Sequence, residues 1–67
     1  MGNEIGKRLE HYRLEKKLSQ KQLAIKIGCS IESIYRWESG QTIMNVKNLA
    51  KLITALDVTA DQILFDK

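Results

Sequence analysis

Apolar side chains recur at Ile5, Leu9 and Tyr12, the i, i+4, i+7 spacing that places all three on one face of a helix, and the pattern predicts a first helix over residues 4–16. Ser19 followed three positions later by Gln22 is a capping box, in which each side chain satisfies a backbone donor left open at a helix start. The helix it opens, over 20–27, carries Leu23, Ala24 and Ile27 inward and meets Gly28, whose missing Cβ permits a left-handed stop. Ser30 can cap a third helix over 31–39, with Ile34 and Trp37 on its apolar side and Gly40 at its end. After a loop at 41–45, Asn45 can cap a fourth helix that turns Val46, Leu49, Ile53 and Leu56 inward. Thr59 and Gln62 form a second capping box ahead of Ile63 and Leu64. Five helices with no alternating strand pattern, linker or repeat make the class all-α, a single domain over residues 1–67.

The spacing around Gly28 carries the most information. Two helices of about two turns joined by a three- or four-residue turn with glycine cross steeply as a helix-turn-helix, and the second is held out from the body. At 67 residues and 7.7 kDa the chain has no room for a second catalytic domain. A domain of this size hides only about 60% of its unfolded surface, and Cys29 is alone, so no disulfide supports it. A reducing, cytoplasmic setting and support by homodimerisation are therefore expected. No apolar stretch approaches the roughly 18 residues of a membrane span, and MGNEIGKRLE has no leader pattern, so a soluble chain without a membrane partner is expected. The formal charge of +3 is uneven: residues 1–40 hold 8 basic and 5 acidic side chains, residues 41–67 hold 3 of each. A basic excess of this size points only weakly to a polyanion, because many solvated helices share it.

IGKRL in the first helix, LSQKQLAIKIGCS through the second helix and turn, IESIYRWESG in the third, and LAKLITALDVTADQIL at the end together resemble the lambda-repressor-like, Cro/CI-type (XRE) helix-turn-helix family over residues 5–64. The resemblance implies a compact five-helix lambda-repressor-like domain that binds double-stranded DNA as a transcriptional regulator, by analogy a repressor, with the third helix in the major groove and the second across the backbone. By the same matching, Ile31, Glu32, Ser33 and Arg36 fall at base-contacting positions. Gln20, Ser30, Tyr35, Ser39, Thr42, Asn45 and Lys47 fall at phosphate-contacting positions, and Arg13 with Glu38 at those of a structural ion pair linking the first helix to the end of the third.

The chemistry of these residues is compatible with such roles. Arg36 can donate a bidentate pair to guanine, Glu32 can accept from a cytosine amino group and Ile31 can touch a thymine methyl. Equally, Glu32 and Arg36 at i and i+4 can pair with each other on a solvated surface, worth only about 0.3–0.5 kcal/mol. Gln20 at a helix N-terminus suits a phosphate, or is a neighbour of the Ser19 cap and nothing more. Ser33 and Tyr35 can donate to DNA, and a tyrosine here can equally cover the edge of the core. Trp37, three positions from Ile34, belongs in the core. Met44 stands where the family often has proline, Asp57 where glycine commonly ends the fourth helix, and Ile53 where a small residue is usual, which calls for wider spacing between the fourth and third helices. Leu14 and Ile25 occupy positions usually polar in the family, and Ile43, Met44, Leu64 and Phe65 are left for a dimer contact once the core is filled.

One histidine, one cysteine and isolated glycines supply no metal cluster, phosphate loop or nucleophile–base pair, so neither an enzyme nor a cofactor or metal is expected. The competing reading is a protein-binding adaptor or antitoxin-type module on the same fold, since fold alone does not determine the partner.

Overall fold

The computed structural model describes residues 3–65; the ends of the expected 1–67 domain, Met1, Gly2, Asp66 and Lys67, lie outside the described residues. Five helices follow one another: α1 (Asn3–Glu15), α2 (Gln20–Ile27), α3 (Ile31–Ser39), α4 (Val46–Leu56) and α5 (Ala60–Phe65). Among the described residues there is no strand, and no helix is long and apolar enough to cross a membrane.

The helix boundaries follow local chemistry. Ser19 Oγ accepts the Gln22 N–H at 3.0 Å while Gln22 Oε1 accepts the Ser19 N–H at 2.7 Å, the reciprocal box expected there. Thr59 and Gln62 repeat it at 3.1 and 2.8 Å. Gly28, at φ 78°, ends α2 with its N–H directed to Ala24 O and Ile25 O, and Cys29 N–H also returns to Ala24 O at 2.9 Å. Asp57 takes the same left-handed geometry at φ 56° to end α4, so the aspartate fills the place where the family commonly has glycine.

α1 packs on α3 and α5, α2 on α3 and α4, and α4 on α5. Between them lie Leu9, Leu23, Ile34, Leu52, Leu56 and Ile63, all fully buried. Each such side chain stabilises the fold by about 1.5–3 kcal/mol relative to exposure. Trp37 is buried with them, as its spacing from Ile34 requires.

The fourth helix departs from its expected facing. Val46 is 82% exposed, and Leu52, absent from the expected inward set, is fully buried beside Leu56. In VKNLAKLITAL two apolar stripes are available, and the partners α2 and α5 cover the one that runs through Leu52. Ile53 is half-buried on α4, which packs on α2 and α5. Met44 also departs from expectation, since it packs against the core and is not left over for a second chain.

Candidate nucleic-acid interface

The α2–α3 unit places one face of α3 in solvent. At about 100° per residue, Ile31, Glu32, Tyr35, Arg36 and Ser39 fall within an arc of roughly 140°, and all five are exposed. Ile34 and Trp37 occupy the opposite side and Glu38 the flank next to Ile31, and all three are buried. Ser33 lies at the edge: it is half-buried, and its hydroxyl is 3.0 Å from that of Ser30. Ser30 in turn caps α3 by accepting the Ser33 N–H at 3.2 Å. These two serines therefore hold the start of α3 and are less available than Glu32 or Arg36.

Ion pairs among the described residues join Arg13 to Glu10 and Glu38, and His11 Nε2 lies 3.1 Å from Glu15 Oε2. Glu32 and Arg36 do not pair, so the surface ion pair left open by their spacing is not formed. The guanidinium and the carboxylate are each free to meet a partner outside the chain.

Arg13 and Glu38 come together as the resemblance implies. Arg13 Nε donates to Glu38 Oε2 at 2.7 Å and its Nη2 to Oε1 at 3.2 Å, with Nη1 on Leu18 O at 2.7 Å. Both residues are buried, which strengthens a bidentate pair by excluding water. Gln20 joins the same carboxylate, donating from Nε2 to Glu38 Oε1 at 3.0 Å. This contact was not foreseen from the spacing. One amide hydrogen is used, and a second remains to point outward. Gln20, Tyr35 and Ser39 border a shallow recess of about 120 Å³ with Glu10 and Glu38, which connects the start of α2 to the exposed face of α3.

Ser19 takes the N–H of Gln22, and the N–H groups of Gln20 and Lys21 have no partner inside a helix that begins there. Asn45 Oδ1 likewise takes only the Asn48 N–H, at 2.8 Å, at the head of α4. Lys47 is exposed on that first turn, and Thr42 and Ser39 are exposed on the segment leading to it. The heads of α2 and α4 each carry the partial positive charge that favours an anion. Ser39 Oγ donates to Arg36 O at 3.3 Å, closing the last turn of α3.

Two participants escaped the sequence reading. Glu10 approaches Arg13 at 3.8 Å and borders the recess. Arg8 donates to Ile63 O at 2.6 Å and Leu64 O at 2.8 Å, so α1 closes the C-terminal end of α5. Arg8 sits next to the core residue Leu9, but its partners lie 55 and 56 positions away, beyond any local signal. Cys29, in the turn between α2 and α3, keeps its thiol proton more tightly than a free cysteine because burial disfavours the thiolate; nearby Lys51 partly offsets this. No cluster of three potential metal ligands occurs among the described residues.

An exposed helix carried on a tight turn from a second short helix is the arrangement of a helix-turn-helix DNA reader. The Helix-turn-helix family matches residues 9–63, and the chain belongs to that family, in the XRE, Cro/CI-type branch of DNA-binding regulators. It is similar to Multiprotein-bridging factor 1 of Candida albicans, 44% identical over 54 residues, covering 81% of this chain and 36% of that protein. The cryptic phage CTXphi transcriptional repressor RstR of Vibrio cholerae is 34% identical over 59 residues, covering 88% of this chain and 53% of RstR. The chain thus spans about a third to a half of the length of these two relatives. Among solved structures, the restriction-modification controller protein C.AhdI of Aeromonas hydrophila superposes with a TM-score of 0.89 at 33% identity, covering 94% of this chain and 96% of that one.

Proposed function

We propose that this chain is the DNA-reading part of a cytoplasmic transcriptional regulator that inserts α3 into the major groove of a specific duplex site. The observation that carries this reading is the exposed arc of α3, with Ile31, Glu32 and Arg36 on it and no ion pair between Glu32 and Arg36. Arg36 reads guanine through O6 and N7, Glu32 accepts from cytosine N4 and Ile31 packs on a thymine methyl. Ser33, held in the cap, plays a smaller part at the edge of the same face. Gln20 presents its remaining amide hydrogen and the N–H groups behind it to one phosphate strand. Ser30, Tyr35, Ser39, Thr42, Asn45 and Lys47 meet the flanking phosphates. The Arg13–Glu38 pair touches no DNA and holds α3 in place.

The protein acts as a homodimer on a two-fold symmetric site with half-sites about 34–36 Å apart. Exposed Ile43 and Phe65, with half-buried Leu64, supply apolar surface for that contact, and RstR and C.AhdI, a repressor and a controller by name, support a regulatory role. No catalytic step is assigned to it.

Selection from a random duplex pool at two salt concentrations tests the reading. Wild type should enrich one palindromic motif, Arg36→Ala should relax a single base position, and Gln20→Ala should weaken all duplexes alike. Failure to enrich any motif by a folded protein would overturn the DNA reading in favour of a protein-binding adaptor. That second reading draws on the likeness to a protein named a bridging factor and on the exposed aliphatic side chains Leu14 and Ile25. A docking surface of that kind would respond little to salt, whereas phosphate contacts release counterions and give a steep dependence.

A further inference from the structure

Gly6 is buried in the second turn of α1, and its Cα faces the backbone at the end of α3. A Cβ built there would stand 2.5 Å from Trp37 O and 2.8 Å from Glu38 C, and closer still to Glu38 O, where ordinary contacts begin at 3.4 Å. The obstacle is main chain at every point, so no side chain can swing aside to make room. Here α1 and α3 meet backbone to backbone, and only glycine allows it. Glu38 is held at this same place by its side chain, through Arg13 and Gln20.

We infer that Gly6 is a positioning residue for DNA recognition: its missing side chain seats the C-terminal end of α3 against α1 and thereby sets the angle at which α3 presents its exposed arc. The inference rests on the DNA-reading function proposed above. Any side chain at position 6 forces the two backbones apart by roughly 1 Å to restore ordinary packing. α1 resists the move, being tied to the core by Leu9, to α5 by Arg8 and to Leu18 by Arg13. α3 is also held, at Glu38 by Arg13 and Gln20, but just beyond Ser39 it runs into the irregular stretch between Gly40 and Asn45, and this end takes up the shift. Across a helix of nine residues, about 13 Å long, a 1 Å shift at one end is a tilt of about 4°. Arg36, near the moving end, is displaced by more than half an ångström, which exceeds the tolerance of about 0.5 Å within which a recognition contact works. Phosphate contacts through flexible side chains and the heads of α2 and α4 absorb the same tilt. Loss of specificity with retained non-specific affinity is the signature.

Gly6→Ala is the test, because alanine is the better helix former and leaves α1 itself intact. It is made in a Lys17→Gly background, which relieves a left-handed lysine at φ 59° in the turn after α1, and is compared with that background alone. Two readouts are taken: the affinity ratio between the selected motif and a random duplex, and the backbone amide chemical shifts along each helix. The expected result is a folded protein whose ratio falls tenfold or more, whose salt dependence is unchanged, and whose amide shifts move along α3. A ratio within twofold of the background, shifts confined to α1, or a variant that does not fold even with Lys17→Gly would each overturn the proposal, the last because Gly6 would then serve folding alone. Should the unsubstituted protein select no motif, the DNA reading fails by itself. The amide shifts still decide whether Gly6 seats α3.

Discussion

The two ends of α3 are built on opposite terms. At its C-terminal end Glu38 is buried, held by two bonds from Arg13 and one from Gln20, with Gly6 of α1 against its backbone. At its N-terminal end Ser30 and Ser33 share a cap in solvent, and Ile31 and Glu32 stand exposed. A helix that must read an irregular partner needs one end whose position is over-determined and another whose side chains are free of internal obligations. The difference teaches where rigidity is useful: holding the reading surface costs no reading residue, because the holding is done from the buried side.

The largest expected effect breaks the held end. Glu38→Ala leaves the Arg13 guanidinium buried at 6% exposure without its carboxylate, and removal of one partner of a buried pair costs about 3–5 kcal/mol. That is a large share of the roughly 5–15 kcal/mol that holds a typical domain together. Urea unfolding followed by Trp37 fluorescence measures it, and a loss no greater than that of a surface substitution would show the held end to be dispensable.

Arg36→Ala probes the free side. Discrimination at one base position should weaken by about 1–3 kcal/mol in competition binding, while the unfolding midpoint stays put because Arg36 is exposed and forms no ion pair among the described residues. A matching drop in stability would mean that the reading face also supports the fold, and the contrast between the ends would dissolve.

Ser30→Ala sharpens the comparison at the start of the helix. Loss of a serine cap costs about 1 kcal/mol, well below the value for Glu38, and thermal unfolding resolves the difference. The smallest effect is expected outside α3 altogether: Val46→Thr at an 82% exposed site should alter stability by less than about 0.5 kcal/mol. A loss of two or more in the same titration would place Val46 in the core after all.

Every helix that has a serine, threonine or asparagine at its head was legible, because a cap and the N–H it accepts from are three residues apart and the bond they form is local. Ser19 with Gln22, Ser30 with Ser33, Asn45 with Asn48 and Thr59 with Gln62 all close in this way. The exposed arc of α3 was legible for a related reason: Ile34 and Trp37 are strongly apolar and leave only one face for solvent. In α4 the same reasoning misassigned Val46, because that helix has more apolar positions than one buried stripe can hold, and periodicity does not say which stripe a neighbour will cover.

Local chemistry along the chain thus determined the five helices, their caps, the tight turn at Gly28 and the residues exposed on α3. Tertiary structure alone decided that Leu52 and not Val46 faces α2 and α5, that Gln20 spends one hydrogen on Glu38, 18 positions away, that Arg8 closes α5 from 55 positions away, and that Gly6 touches the backbone of α3. The physical reason is the range of the forces involved. Capping and helical periodicity act within one or two turns and are written in adjacent residues, whereas close packing and buried hydrogen bonds depend on which surfaces meet after the chain has folded back on itself.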